Sequence, residues 1–490
     1  MKQLLARLAA LAVVALATGG AQAQALSECR IAGVRNSVLC GVVQRALDPA
    51  QPAGTKIDIH YVVAPAMARR KLPDPVFVLA GGPGQSATQI APQMLALLSR
   101  LNNRRDIVFV DQRGTGRSAP LECEDPQREA LADQADADRQ FNLLMKCKSG
   151  LMKLPYIRNE SDLGFFTTTL AMQDLDAVRR QLGAQRIDLV GASYGTRAGL
   201  EYLRAFPGSV RRAVLDGVAP PDMALPASFS TDGQAAFDAL LAACEAEASC
   251  RREHPRLRAD WAALLQSLPK PVTAPHPLTG RSETFTLTRE MLLAAVRGPL
   301  YGPALAAALP AAIGDAAQGR YEGIVGLGAI LASRKGAKLA MGMHFSVVCA
   351  EDLPRLADST DRPGADFGTE FAAMYRRMCG AWPRGEVPAA FYDIGPSAAP
   401  VLLLSGGVDP ATPPRHAERV ARALGPMAQH VIVPNAGHGV MQIGCMRDVV
   451  YRFIDAADDK DATGVDAACV KAIPRPPAFA PVTLPAEGAQ

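Results

Sequence analysis

Short, continuous apolar runs recur along this chain, and helix-spaced segments separate them. Val76-Phe77-Val78-Leu79-Ala80, Ile107-Val108-Phe109-Val110, Ile187-Asp188-Leu189-Val190, Ala213-Val214-Leu215, Val401-Leu402-Leu403-Leu404 and Val431-Ile432-Val433 each read as a buried strand. Ile57, Ile59, Tyr61 and Val63 alternate with Asp58, His60 and Val62, the period of a half-exposed antiparallel strand. Phe165 to Leu182 has helical spacing and is closed by Gly183. Buried strands separated by helices predict an α/β fold, a mostly parallel central sheet with helices on both faces. From Pro220 to Ala390 the alternation stops. Ala- and Leu-rich helical segments dominate there, at 237–244, 257–268, 289–296, 303–317 and 367–378. The pattern predicts five segments: a leader at 1–23, a first core part at 24–220, an inserted and mainly helical lid at 221–394, a second core part at 395–473, and a Pro- and Ala-rich tail at 474–490. A lid over a cleft excludes water and selects substrates.

In such sheets ligands bind at the carboxyl ends of the strands, and the polar motifs of this chain fall there. Gly191-Ala192-Ser193-Tyr194-Gly195 sits between the strand at 187–190 and a segment with Gly199, Leu203 and Phe206 at helical spacing, stopped by Pro207-Gly208. A serine on a sharp strand-to-helix turn presents its hydroxyl to a cleft. Serine is a weak nucleophile and needs a base, which needs an orienting carboxylate. On this fold the chain order is serine, acid, histidine. Of seven histidines, His416, His430 and His438 follow the inserted region. His438, flanked by Gly437 and Gly439 just past the strand at 431–433, is the expected base. His430 should point away from the cleft, and His416 lies in a helical stretch. Asp409, the carboxylate in the loop after Leu404, is the expected acid, with Asp216 as the alternative. Gly81-Gly82-Pro83-Gly84 follows the strand at 76–80, so the N–H groups of Gly82 and Tyr194 are the expected oxyanion donors.

The remaining features narrow the setting. A net charge of +4, without basic runs interleaved with aromatics, implies no nucleic-acid partner. Lys2 and Arg7, the apolar stretch Leu8 to Ala17, and Ala21-Gln22-Ala23 read as a secretory signal cleaved after Ala23. That apolar stretch is too short to span a membrane. The expected address is periplasmic or extracellular. Ten cysteines fall into five sequence-local pairs, 29–40, 123–147, 244–250, 349–379 and 445–469, which suit disulfides in an oxidising compartment. Metal-ligand spacings of Cys and His are absent, so no metal or other cofactor is expected.

The combination of Gly81-Gly82-Pro83-Gly84, Asp111-Gln112-Arg113-Gly114-Thr115-Gly116-Arg117-Ser118, Gly191-Ala192-Ser193-Tyr194-Gly195, Asp409-Pro410-Ala411-Thr412-Pro413 and Gly437-His438-Gly439 resembles the proline iminopeptidase and tripeptidyl aminopeptidase family of α/β-hydrolases, in its secreted branch. The resemblance implies a serine exopeptidase that removes residues or short peptides from a free N-terminus. Many members have His before the first glycine of the oxyanion loop, where this chain has Ala80, which weakens a strictly proline-releasing assignment. Asp111 and Arg113 are expected to brace the loop beside the serine. An exopeptidase must hold an α-ammonium group, and Glu351 in the inserted region is the expected carboxylate for it. A carboxylesterase using the same three residues on small esters is the alternative function.

Overall fold

The computed structural model describes residues 26–124, 129–330 and 338–479. The expected signal at 1–23 lies outside them, as does the tail beyond Phe479. Among the described residues nine strands form one sheet. In chain order they are β1 (Ser27–Cys29), β2 (Val38–Ala46), β3 (Lys56–Ala64), β4 (Val76–Leu79), β5 (Ile107–Val110), β6 (Ile187–Ala192), β7 (Val210–Asp216), then β10 (Val401–Gly406) and β11 (Ala428–Val433). Their spatial order is β1-β2-β3-β5-β4-β6-β7-β10-β11. β1, β2 and β3 run antiparallel, and β3 pairs antiparallel with β5. Every pairing from β5 to β11 is parallel.

The continuous apolar runs explain this centre. Successive strand residues point to opposite faces, and both faces of the parallel region are covered. Phe77, Leu79, Val108, Val110, Leu189 and Leu403 join one buried cluster. Val76, Val78, Ile107, Phe109, Val190 and Leu402 join another. β2 was not expected: Gly41, Gln44 and Arg45 interrupt its apolar pattern, and its register with β3 supplies the pairing.

Between β7 and β10 lies the insertion. It is mainly helical, but it also carries an antiparallel hairpin of β8 (Lys270–Pro275) and β9 (Ser282–Leu287) that the helical pattern did not predict. Its buried residues fall into two clusters. Phe237, Trp261, Leu292, Ile313 and Phe367 form a separate apolar cluster. Met343, Val347, Val348, Tyr375 and Met378 instead join the main core. The reason is local: the helix Met341–Glu351 is buried on every side except at its first residue. Such a helix needs a surround that a thin cover does not provide.

All five expected disulfides are present, and no described cysteine is free. Cys349–Cys379 ties the helix Met341–Glu351 to the helix Glu370–Gly380. Replacing both cysteines by Ser is expected to lower stability by about 2–4 kcal/mol. A fall in urea midpoint at constant slope would register it. An unchanged midpoint would mean that core packing alone holds the two helices together.

Candidate active site

Ser193 sits where β6 becomes the helix Tyr194–Ala205, with φ 56° and ψ −125°. A side chain in this region of backbone space is strained and persists only where its surroundings impose it. They do so here. Ser193 N–H donates to Asp216 O at 2.8 Å, and Ser193 O accepts from Thr196 N–H at 2.8 Å and Thr196 Oγ1 at 2.6 Å. The flanking glycines are steric necessities: a Cβ on Gly195 would strike the Leu79 carbonyl of β4, and one on Gly191 would strike the Gly195 carbonyl.

His438 lies in the loop after β11, and its Nδ1 is 2.8 Å from Asp409 Oδ2. Asp409 is fully enclosed, while His438 keeps 14% of its side-chain surface accessible. Three further donors hold the carboxylate. Ala411 N–H and Thr412 N–H reach Oδ1 at 2.8 and 3.0 Å. Thr412 Oγ1 reaches Oδ2 at 2.9 Å and also stands 3.1 Å from His438 Nδ1. Burial works against the charge on Asp409, but His438 and the two backbone N–H groups outweigh it and hold the acid below its usual range. Burial likewise opposes a charge on His438, and the Asp409 carboxylate overcomes it, so the imidazole titrates above its ordinary value. Thr412 was missed in the sequence. Its signal was its place three residues after Asp409, the spacing at which an Asp side chain captures local donors.

Asp216, the alternative acid, faces elsewhere. Its carboxylate accepts from Val440 N–H and Met441 N–H at 2.8 to 2.9 Å, which fixes the loop that carries His438. Burial pushes its pKa up to about 6. Gly217, next along the chain, lies against the imidazole: a Cβ there would be 3.0 Å from His438 Cε1. The imidazole and Ser193 therefore flank the same end of β7. Among the described residues no hydrogen bond joins the Ser193 hydroxyl to His438, and such contacts are often formed only once substrate is bound.

Gly82, Ser193 and Tyr194 line one small cavity of about 40 Å³. Tyr194 heads its helix, so its N–H has no acceptor within the helix. Gly82 has φ 112°. The loop that carries it is gripped by the insertion: Ala340 N–H donates to Gly84 O at 2.9 Å, and His344 Nδ1 is 3.2 Å from Pro83 O.

Glu351 does not open onto this cavity, which corrects the expectation that it receives an α-ammonium group. It is 1% exposed. Its carboxylate accepts from Thr168 N–H at 2.7 Å and Thr168 Oγ1 at 2.9 Å, and lies 3.5 Å from Arg197. Burial, only partly offset by Arg197, pushes its pKa up to about 7. The physical reason is the helix that carries it, which packs into the core instead of facing the cleft. Arg197 itself lines the cavity and is held bidentately by Asp352 at 2.9 Å.

The other singled-out residues have structural partners. His416 meets Asp232 at 2.9 Å and His430 meets Ser405 at 3.0 Å, both away from the Asp409 pair. Asp111 accepts from Ser86 Oγ and from Thr88, so it anchors the helix Ala87–Leu97 that follows the Gly82 loop. Arg113 pairs bidentately with Asp174 of the helix Thr168–Gln181, so it braces that helix rather than the serine turn.

Two family profiles match the chain, one described as alpha/beta hydrolase fold over residues 74–243 and one described as TAP-like protein over residues 364–466. Tripeptidyl aminopeptidase of Streptomyces lividans is 32% identical over 196 residues, which are 38% of this chain and 36% of that protein. Serine protease Hip1 of Mycobacterium tuberculosis is 29% identical over 196 residues, 39% of this chain and 37% of that protein. Carboxylesterase B, also of Mycobacterium tuberculosis, is 27% identical over 423 residues, 79% of this chain and 78% of that protein. The alignments with the first two thus span a little over a third of those relatives. The sheet order, the strand-turn-helix at Ser193 and the two profiles agree: the chain has the α/β-hydrolase fold, and its C-terminal part is similar to the TAP-like proteins.

Proposed function

We propose that the chain is an exported serine hydrolase that removes short fragments from the free N-termini of peptides through Ser193, His438 and Asp409. The observation that carries this reading is the buried Asp409 held at 2.8 Å from an accessible His438, at the same sheet edge as the strained Ser193. In the proposed reaction Ser193 Oγ attacks the scissile carbonyl and His438 Nε2 takes its proton. Asp409 keeps the other ring nitrogen protonated and stabilises the imidazolium. The N–H groups of Gly82 and Tyr194 stabilise the oxyanion. His438 then protonates the leaving amine, and water releases the acyl group by the same steps in reverse. The relatives named as a tripeptidyl aminopeptidase and a serine protease support peptides as the substrates.

A space of about 40 Å³ beside Ser193 admits water but not a peptide residue. The proposal therefore includes movement of the helical cover, residues 221–330 above all, before substrate enters. Export is supported by five disulfides and by the leader-like residues 1–23. No described helix is long and apolar enough to cross a membrane.

The test is mass spectrometry of products from a mixed peptide pool, with Ser193→Ala as control. Short N-terminal fragments produced only by the unaltered protein support the reading. Intact peptides beside rapid turnover of acetyl and butyryl esters would replace it with a carboxylesterase. Two observations favour that second reading: the similarity to carboxylesterase B over most of the chain, and a Ser193 cavity lined by no carboxylate.

The pH profile follows from the imidazole. Below its pKa His438 already carries a proton and cannot accept one from Ser193. Because the Asp409 carboxylate raises that pKa above 6.5, kcat/KM should rise with pH through one ionisation whose midpoint lies above 6.5. A flat profile from pH 5 to 8 would remove His438 as the base.

A further inference from the structure

Arg297 is a cation beside the candidate active site and, among the described residues, has no anionic partner. It lies in the last turn of the helix Arg289–Leu300, immediately before the segment that touches His438. Tyr301 O accepts from His438 N–H at 2.9 Å, and the two rings meet edge to face at 5.1 Å. The Arg297 guanidinium lies 4.0 Å from the Phe229 ring centroid, 5.3 Å from that of Tyr301 and 5.8 Å from that of Phe371. Phe229 and Tyr301 also line the Ser193 cavity. One guanidinium nitrogen donates to Tyr301 Oη at 3.0 Å, and Nε is buried without a partner. Among the described residues no carboxylate stands within ion-pair distance of it. Arg197, which lines the Ser193 cavity, is by contrast paired bidentately with Asp352, although its Nε is likewise buried without a partner.

Aromatic faces position such a cation and offset part of its desolvation, but they do not use its hydrogen-bonding fork. That fork matches a carboxylate in two parallel hydrogen bonds, and partial burial strengthens the pairing. The charge is also felt at the reaction centre, where Arg297 works against protonation of His438.

We propose that Arg297 is a substrate-specificity residue that receives a carboxylate lying next to the scissile bond, an inference that rests on Ser193 being the nucleophile. The carboxylate is either an acidic side chain of the acyl part or the free C-terminus of a short leaving peptide; the chemistry at Arg297 is the same. The same charge disfavours an ammonium group at that position.

Two matched substrate pairs separate the sources. The first compares Ala-Ala-Glu-p-nitroanilide with Ala-Ala-Gln-p-nitroanilide. The second compares tetra-alanine carrying a free C-terminal carboxylate with its C-terminal amide. The unaltered protein should favour the carboxylate member of one pair by roughly 10–100-fold in kcat/KM, the scale of a hydrogen bond to a charged group. Arg297→Gln should bring that ratio close to one, and Arg297→Lys should restore part of it. The preference of the unaltered protein should also shrink as salt is raised, a reading that needs no variant to fold. Ratios near one in both pairs, or a preference that survives Arg297→Gln or is insensitive to salt, would overturn the proposal. Labelling of Ser193 by a fluorophosphonate runs alongside. If Ser193 labels and the ratios stay at one, the Arg297 proposal alone fails. If Ser193 does not label, the nucleophile assignment fails, and this inference with it.

Discussion

Ser193→Ala is expected to lower kcat by about 10⁶ and to abolish covalent labelling by a fluorophosphonate. The loss is chemical rather than structural. Alanine keeps the Cβ that defines the strain at φ 56°, so the turn itself changes little. The bonds that impose the turn are made by the backbone of residue 193, to Asp216 O and from Thr196, and all of them survive. What disappears is the oxygen that forms the acyl intermediate in the proposed reaction. Thermal unfolding should therefore occur near the unaltered temperature while turnover vanishes. Residual turnover above about one part in 10³ would exceed what oxyanion donors and substrate binding sustain without a nucleophile, and would place the reaction elsewhere.

The second large effect belongs to Asp409→Asn, for which kcat should fall by about 10⁴. The carboxamide has nearly the same shape, so Ala411 and Thr412 can still donate to its oxygen. Its nitrogen, however, donates toward His438 Nδ1 and favours the tautomer whose Nε2 carries a hydrogen. That tautomer cannot take the serine proton. Asp216→Asn is the informative comparison. The Asp216 carboxylate accepts from Val440 and Met441, not from the imidazole. A carboxamide retains an acceptor for those N–H groups, so the loss should be much smaller. Equal losses at 409 and 216 would mean that the orienting acid is shared, and a larger loss at 216 would reverse the assignment.

The parallel sheet was readable because its strands are buried on both faces, which turns each into an uninterrupted apolar run. The pentapeptide around Ser193 was readable because a tight turn between strand and helix leaves no space for side chains on its flanks. The five disulfide pairs followed from sequence proximity. β2 and the β8–β9 hairpin escaped because their stability comes from cross-strand partners, while their own patterns mix apolar and polar residues. Glu351 was misread for a related reason. An acidic residue in an inserted region suggests an exposed cover, but seven of the eight residues before it are apolar or small, and the helix they form turns inward. There Thr168 and Arg197 take up its carboxylate.

Local chemistry written along the chain decided the α/β class and the strand-turn-helix around residues 191–195, because each depends on residues adjacent in sequence. Contacts between distant segments decided the rest. Whether Asp409 or Asp216 meets the imidazole depends on how two loops from neighbouring strands fold over the sheet edge. Thr412 becomes a partner of His438 only when residues 26 positions apart are brought to 3.1 Å. Among the described residues Arg297 has no anion, because its helix ends against the His438 loop with aromatic rings as its neighbours. Hydrogen bonds and charges act over a few ångströms of space, and that separation is set by packing, to which spacing along the chain is blind.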